Sequence, residues 1–250
     1  MSSHNAENFY NSIAEKYHWF FSSWEGIMDY QMKSLVPLLK TYNVETVLDC
    51  ACGTGLQSIG LAKAGFKVIG TDLSTNMLSR AKKNASEANV DIEFKQSDFR
   101  EIRSKVNGLF DSVICMGNSI PHLMSESDIV EALNNVYQCI KQDGVAIFEM
   151  RDYDSMLAQK PRFLPMRINE KKDDKSISVL YVFDYLESIV KFNIVYLIED
   201  TSSGEKKMEV ESVDYNPIKK ESFLRLLTES GFKNIEVLND GFGLEYIARK

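Results

Sequence analysis

The segment from Thr46 to Gly55 limits the possible folds of this chain more than any other stretch. It begins with an apolar strand pattern, carries Asp49 at the end of that pattern, and continues as a turn that contains Gly53 and Gly55. A helical pattern opens directly after the turn, near Leu56. A strand, an acidic residue, a glycine turn and a helix in this order are typical of the first βα unit of a doubly wound, nucleotide-binding sheet. The two glycines allow the backbone to approach a ligand in conformations that a side chain would forbid.

The residues in and around this turn restrict the ligand. The turn has neither the Gly-Lys-Ser/Thr of phosphate loops nor the Gly-x-Gly-x-x-Gly of dinucleotide-binding enzymes. Asp49 suits a cationic ligand better than a pyrophosphate, and S-adenosylmethionine carries both an ammonium and a sulfonium group. Asp72 ends the next predicted strand, where an acid would bind ribose hydroxyls. The alternative is a tight βα turn with a surface acid, but the two acids together favour nucleoside binding.

The composition is that of an ordinary soluble globular protein, since 44% of the 250 residues are hydrophobic and 26% are charged. The formal net charge of −7 argues against a polyanion, so we expect a small-molecule substrate and no nucleic acid. An oligomer is compatible with the sequence. The chain starts with polar residues and contains no long apolar run, which predicts neither a signal peptide nor a membrane span.

The cysteines predict a reduced, cytoplasmic protein. Cys50, Cys52, Cys115 and Cys139 lie in or beside predicted strands and a helix, and they contain no Cys-x-x-Cys pair. This pattern is typical of small core residues and not of zinc ligands or a disulfide framework. We therefore predict no metal site.

Strand and helix patterns alternate after the glycine turn, which indicates a parallel sheet with helices on both faces. The predicted strands are Thr46–Cys50, Lys67–Thr71, Ile92–Gln96, Asp111–Met116 and Val145–Met150, the last after a turn at Asp143-Gly144. Strands Asn234–Leu238 and Leu244–Ala248 predict a hairpin at an antiparallel edge.

The pattern changes after Arg151. A loop bracketed by Pro161 and Pro165 and a charged turn over 170–175 precede three stretches that alternate apolar and polar residues. These stretches, 177–185, 189–199 and 206–215, predict three antiparallel strands. The predicted fold is therefore α/β, a doubly wound Rossmann-like parallel sheet with an antiparallel edge hairpin and an inserted antiparallel β cap.

The chain is expected to divide into three parts. Residues 8–24 are dense in aromatic side chains, which predicts either a helix packed on the core or a lid over a ligand. A second helical pattern over 27–40 contains Pro37, a predicted kink. We assign residues 1–45 to an N-terminal helical lid, 46–151 and 216–250 to the core, and 152–215 to the inserted cap.

Asp-x-Ala-Cys-Gly-Thr-Gly, the acid Asp72 and the pair Asp98-Phe99 after the third strand resemble class I S-adenosylmethionine-dependent methyltransferases. The resemblance covers about residues 9–154. It implies that the glycine turn holds the methionine part of the cofactor, that Asp72 binds ribose, that the helix start near Met77 packs on adenine, and that Asp98 takes the adenine amino group. The cofactor-binding residues expected on this basis are Tyr17, Asp49, Ala51, Gly53, Gly55, Asp72, Met77, Asp98, Phe99 and Met116.

The ends of the fourth and fifth predicted strands, 113–123 and 150–154, are similar to glycine N-methyltransferases and their sarcosine and dimethylglycine relatives. The animal glycine enzymes have Asn at the position of Asp152, and a carboxylate beside Arg151 would weaken the attraction of that arginine for a substrate anion unless Asp152 points away. The expected catalytic residues are Tyr17, Asn118, His122 and Arg151.

Methyl transfer from a sulfonium is an in-line displacement that needs alignment and exclusion of water, not a protein nucleophile. Arg151 is suited to bind a substrate carboxylate in a bidentate pair, although a salt bridge to a neighbouring acid is the alternative. Asn118, or the carbonyl of Gly117, would orient the amine, and Tyr17 and Tyr10 would close the site. His122 is either a proton acceptor or a structural hydrogen-bonding residue.

The sequence thus predicts methyl transfer to a small molecule, most of all to the amino group of glycine, sarcosine or dimethylglycine. Methylation of a carboxylate, a phenol or another amine is one alternative, and a non-catalytic cofactor-binding module is another. The chain lacks the Asn/Asp-Pro-Pro-aromatic motif and the Pro-Cys motif after the fourth strand, which argues against a base methyltransferase.

Overall fold

A computed structural model describes residues 2–239 and 243–250 of the chain. The helices in this part are α1 (Ser2–Ile13), α2 (Trp24–Thr41), α3 (Leu56–Lys63), α4 (Thr75–Glu87), α5 (Ile102–Lys105), α6 (Glu126–Cys139), α7 (Tyr153–Gln159) and α8 (Lys220–Glu229). The strands are β1 (Thr46–Asp49), β2 (Lys67–Asp72), β3 (Glu93–Gln96), β4 (Phe110–Cys115), β5 (Ile140–Met150), β6 (Phe163–Lys172), β7 (Lys175–Tyr185), β8 (Val190–Asp200), β9 (Lys206–Tyr215), β10 (Lys233–Asn239) and β11 (Leu244–Arg249).

The larger sheet has seven strands in the order β10-β11-β5-β4-β1-β2-β3. Strands β3, β2, β1, β4 and β5 are parallel, and β11 joins β5 in the antiparallel sense. Helices pack on both faces, as the separate apolar clusters on the two sides show. The predicted doubly wound sheet is therefore confirmed. The carboxyl ends of the parallel strands meet at one edge, which is where ligands bind in such sheets.

The predicted edge hairpin is also confirmed, because β10 and β11 pair in antiparallel fashion. The residues that connect these strands, 240–242, lie outside the described part of the chain.

The second sheet is antiparallel, with strand order β6-β7-β8-β9. The sequence predicted only three strands here, because the stretch that forms β6 contains Pro165 and a run of charges. Proline is tolerated in β6 because it is an edge strand, so its outward N–H groups need no partner. The prediction of a loop between Pro161 and Pro165 and of a charged turn over 170–175 was therefore wrong for the residues that β6 (Phe163–Lys172) occupies.

Three other boundaries differ from the sequence prediction. Strand β5 begins at Ile140, before the predicted turn at Asp143-Gly144. Its pairing with β4 shifts register, and Asp143 lies in the left-handed region with φ of 62°, so the chain passes an irregularity there without leaving the sheet. Helix α7 fills part of a stretch without a predicted element. The helix predicted over 27–40 is α2, which begins earlier, at Trp24, and continues through Pro37 to Thr41.

The N-terminal segment does not form one helix over 8–24. It consists of α1, a 3₁₀ turn at Tyr17–Phe20, and α2 from Trp24. Phe9, Ile13 and Phe20 share one buried apolar cluster with α7 and the inner face of the second sheet. The N-terminal segment and the antiparallel sheet therefore pack on each other over the edge where the parallel strands end.

Candidate functional site

A cavity of about 270 Å³ lies between the carboxyl ends of the parallel strands, the N-terminal segment and the antiparallel sheet. Among the predicted site residues, those on its wall are Tyr17, Ala51, Gly53, Asp72, Met77, Asp98, Phe99, Met116, His122 and Arg151. The other three predicted residues, Asp49, Gly55 and Asn118, do not line the cavity in the part of the chain that the structure describes.

Asp72 is held in place by backbone N–H groups at the end of β2. Its Oδ2 accepts a hydrogen bond from Gly53 N at 2.8 Å, and its Oδ1 accepts one from Ser74 N at 2.9 Å. Burial raises the pKa of Asp72 to about 6, although these hydrogen bonds act in the opposite direction. A cation or hydroxyl donors in the cavity would therefore be attracted to a carboxylate whose orientation is already set.

Asp49 faces away from the cavity and toward α3. Its Oδ2 accepts a 2.7 Å hydrogen bond from the Ser58 hydroxyl, whereas its Oδ1 is buried without a partner in the described structure. Burial raises the pKa of this carboxyl group to about 7. Gly55 is the N-cap of α3 with φ of 87°, and a Cβ there would lie 3.2 Å from Ile59 and 3.3 Å from Ala81. Asp49 and Gly55 therefore support the conformation of the glycine turn from the side away from the cavity.

Asp98 lies on the cavity wall but is engaged with Arg100. Its Oδ2 accepts from Arg100 Nη2 at 2.6 Å, and its Oδ1 accepts from Arg100 Nε at 3.0 Å. Burial raises the pKa of Asp98, but the bonds from Arg100 outweigh this effect and the net pKa is below the ordinary value. Asp98 is therefore an ionised hydrogen-bond acceptor at the wall.

Arg151 follows β5 and extends its guanidinium group among aromatic rings. Its Cζ lies 4.9 Å from the centre of the Phe192 ring and 5.3 Å from that of Tyr215. The Nη1 atom is buried without a hydrogen-bond partner in the described structure, and no ion pair formed by residues 2–239 and 243–250 includes Arg151. Asp152 instead caps α7, where its Oδ1 accepts from Ser155 N at 3.0 Å.

Asn118 supports the wall from inside the protein. It is 5% exposed and has φ of 64°, a left-handed conformation that asparagine tolerates. Its Oδ1 accepts from Arg151 N at 2.9 Å, and its Nδ2 donates to the Tyr153 hydroxyl at 3.1 Å. The amide group is thus committed to positioning the start of the Arg151 segment. Gly117, the other residue predicted to orient an amine, lies on the cavity wall.

His122 is a neutral hydrogen-bonding residue. Its Nε2 and the Tyr10 hydroxyl are 2.9 Å apart, and its ring packs 4.6 Å from that of Tyr215. Burial, with the positive charge of Arg151 as a second cause, lowers the pKa of His122 to about 3. An imidazole this weakly basic remains neutral near pH 7 and takes up a proton poorly.

Two groups stand out among the wall residues that sequence reasoning missed. Tyr181, Phe192 and Tyr215 come from three strands of the antiparallel sheet. Gln31 of α2 and Gln57 of α3 also line the cavity, with Gln57 Nε2 donating to Gln31 Oε1 at 2.9 Å. The position of Gln57, two residues after the glycine turn, is a signal that could have found it. No comparable local signal marks the aromatic residues.

Comparison with known proteins decides the family. The model of the methyltransferase domain family matches residues 47–144. A glycine/sarcosine N-methyltransferase of Aphanothece halophytica is 30% identical over 230 residues, which are 88% of this chain and 81% of that enzyme. This chain belongs to the class I S-adenosylmethionine-dependent methyltransferases. It uses S-adenosylmethionine as methyl donor and a small molecule as acceptor.

Solved structures agree on the fold of this methyltransferase. An S-adenosylmethionine-dependent methyltransferase from Clostridium acetobutylicum has a TM-score of 0.74 at 19% identity and covers 98% of this chain and 99% of its own. CalS10, an amino pentose methyltransferase from Micromonospora echinaspora, has a TM-score of 0.73 at 13% identity and covers 91% of this chain and 92% of its own.

Among the described residues, no group of His, Cys, Asp and Glu side chains could hold a metal ion. None of the helices described for the methyltransferase is long and apolar enough to span a bilayer. The four cysteines are all buried free thiols.

Proposed function

We propose that this methyltransferase methylates the amino group of a small amino acid such as glycine, sarcosine or dimethylglycine. The observation that carries this proposal is Arg151, a guanidinium group at the cavity with a buried, unpartnered Nη1 and no carboxylate partner among the described residues. A buried guanidinium group without a carboxylate partner is costly, and a ligand carboxylate would relieve that cost through a bidentate pair. The similarity to a glycine/sarcosine N-methyltransferase supports the same substrate class.

The residues at the parallel strands fit the methyl donor. Asp72 would accept hydrogen bonds from the ribose hydroxyls, Met77 would pack on the adenine ring, and Asp98 would accept from the adenine amino group. At Gly53 a Cβ would have no neighbour within 4 Å, so the backbone there borders open space into which the methionine part fits. The bound donor supplies a methyl group that its sulfonium already activates.

The protein's remaining task is to present a neutral amine. The carbonyl of Gly117 would accept from the amine and orient its lone pair, and Asn118 would act one step back by holding the Arg151 backbone. With a pKa of about 3, His122 is a poor proton acceptor, so we assign it and Tyr10 a hydrogen-bonding role in the wall. The excess proton of the amine would therefore leave to solvent before transfer.

The three predicted parts of the chain receive separate roles in this proposal. Residues 1–45 act as a lid, residues 152–215 as a cap on the acceptor side, and the remaining residues as the core that binds the donor. The hydrogen bond that Asp152 Oδ1 accepts from Ser155 N supports an acceptor carboxylate at Arg151, because it directs the neighbouring negative charge toward α7.

Turnover with matched acceptors tests the proposal. We expect release of S-adenosylhomocysteine with glycine, sarcosine or dimethylglycine, and little with the decarboxylated amines methylamine and dimethylamine. Arg151→Ala should weaken binding of the acceptor by roughly 2–5 kcal/mol, the usual cost of leaving one partner of a desolvated charge pair unpaired. Arg151→Lys keeps the charge but loses the planar fork, so it should retain only part of the affinity.

Arg225→Ala is the matched control, because Arg225 lies on α8 and pairs with Glu126 and Glu229 at the surface. It should leave acceptor kinetics unchanged. If the wild type methylates none of the amino acids, or if Arg151→Ala leaves their turnover unchanged, the amino-acid assignment is wrong. Turnover of carboxylic acids or phenols in the same assay would then identify O-methylation as the activity.

A further inference from the structure

A second cavity of about 270 Å³ lies behind the glycine turn. It is bordered by the start of α2, by α3 and α4, and by the segment after α1, and it shares Thr54 with the first cavity. Its polar and aromatic lining residues are His18, Trp24, Glu25, Thr54, Lys63, Arg80, Asn84 and Glu87. None of the roles derived above uses this cavity.

Charged side chains of both signs line this cavity without pairing. Lys63 and Arg80 are cationic and Glu25 and Glu87 are anionic, yet none of them takes part in an ion pair among the described residues. Glu25, Lys63 and Glu87 are exposed and Arg80 is half-buried, so all four side chains can be reached from solvent. Charges of both signs are therefore available to a ligand in this cavity.

Two buried polar atoms also lack partners at this cavity. Thr54, which borders both cavities, is 3% exposed, and its Oγ1 has no hydrogen bond in the described structure. The Nδ1 atom of His18 is buried and equally without a partner among the described residues. An unsatisfied buried polar group is destabilising, so a ligand that offers a hydrogen bond would stabilise the protein at this point.

We propose that the second cavity binds a small zwitterion with a carboxylate at one end and an alkylated ammonium at the other. Arg80 and the Thr54 hydroxyl receive the carboxylate. Glu25 and Glu87 attract the ammonium, and the Trp24 ring offers the aromatic face that alkylated cations prefer. The proposal does not depend on the identity of the methyl acceptor.

Glycine betaine is a suitable probe, because it carries both charges and its nitrogen cannot accept another methyl group. Trp19 and Trp24 are the two tryptophans of the chain, and only Trp24 lines the second cavity as described. In a Trp19→Phe background, intrinsic fluorescence therefore reports on Trp24. We expect a saturable change on titration with glycine betaine in the absence of S-adenosylmethionine.

Arg80→Met in the same background should weaken this binding by about tenfold or more, the size of one lost charge-assisted hydrogen bond. Lys82→Met is the matched control on the exposed face of α4 and should bind as the parent does. Glu87→Gln is a second test at an exposed position that folding tolerates, and it should also weaken binding. A fluorescence response that does not saturate, or one equally strong in the Arg80 and Glu87 variants, would overturn the proposal.

Arg151→Met separates this site from the first cavity. The variant should bind glycine betaine at Trp24 with unchanged affinity, since Arg151 does not line the second cavity as described. Loss of the signal in Arg151→Met would assign the probe to the first cavity and refute a second site. Because the assay contains no acceptor and no turnover, failure of the proposed amino-acid activity leaves its result interpretable.

Discussion

The cavity of this methyltransferase has two walls that are built in opposite ways. The parallel-sheet wall, which includes Ala51, Gly53 and Asp72, consists of loops that leave the ends of buried strands, and backbone N–H groups hold the Asp72 carboxylate in place. The antiparallel-sheet wall is mainly aromatic and includes Tyr181, Phe192 and Tyr215 on the inner face of β7, β8 and β9. Backbone geometry thus specifies the first wall, whereas side-chain choice specifies the second.

This difference teaches which half of the site can change without harm to the fold. Loops after parallel strands depend on glycines and caps, so their substitution disturbs the backbone. Inward positions of an antiparallel sheet accept other large apolar side chains with little change in the backbone. We therefore expect donor binding and acceptor binding to respond separately to mutation.

The largest difference between the effects on donor binding and on acceptor binding is expected at Asp72. Asp72→Ala removes the acceptor of the ribose hydrogen bonds and leaves Gly53 N and Ser74 N without their partner. Each charge-assisted bond is worth roughly 1.5–3 kcal/mol, so S-adenosylmethionine affinity should fall by at least tenfold in calorimetry. The acceptor KM at saturating donor should change little. Unchanged donor affinity would refute the assignment of the parallel-sheet wall.

Asn118 lies after β4, behind the cavity wall, and holds the start of the Arg151 segment. Asn118→Gly removes the amide without strain at its φ of 64°. The buried Tyr153 hydroxyl then lacks its donor, which costs about 1–3 kcal/mol of unfolding free energy. We expect both the free energy of unfolding and the kcat/KM for the acceptor to fall, whereas the affinity for the donor should stay unchanged. Equal losses for donor and acceptor would contradict the separation.

Tyr10→Phe tests whether His122 acts as a base. Loss of one hydrogen bond should lower acceptor kcat/KM by roughly fivefold, the effect of about 1 kcal/mol. Because the pKa of His122 is about 3, the residue stays neutral over the working range, and the pH profiles of wild type and variant should be parallel, set by the amine. A profile whose apparent pKa shifts in the variant would restore His122 as proton acceptor.

The smallest effect is expected at the contact between the N-terminal segment and β9. Lys16 and Lys207 both pair with Glu209, but only Lys16 belongs to the segment proposed as a lid. Partly exposed ion pairs contribute about 0.2–1 kcal/mol, so Lys16→Met should raise the acceptor KM less than about fivefold. Lys207→Met is the control and should leave KM unchanged. Equal effects of the two variants would argue against a lid.

The sequence predicted the parallel sheet and most of its wall because the relevant signals are local. Asp49, the glycine turn and Asp72 lie within one βα unit and the following strand, so spacing alone brings them together. The same reasoning placed Asp49 against the ligand, whereas the structure turns it toward Ser58. Spacing specifies where a residue stands in the chain but not which way its side chain rotates.

The antiparallel-sheet wall could not be predicted in the same way. Alternating aromatic residues give the same pattern whether they fill a core or face a cavity, and Phe183 and Phe192 illustrate this, since only Phe192 borders the cavity as described. Strand β6 was missed because charges and Pro165 conceal an edge strand, whose pairing depends on a partner elsewhere in the chain. These features arise from tertiary contacts.

The contacts of α1 have a consequence for the order in which the molecule folds. Asn11 bonds to Ser74, Tyr10 to His122 and Ser12 to Glu211, across sequence separations of 63, 112 and 199 positions. Contacts of such long range form slowly, and on the ribosome the last of them cannot form until β9 has emerged. We expect this helix, although made before all its partners, to reach its place after both sheets are assembled. Closure of the cavity would then be among the final steps in maturation of the enzyme.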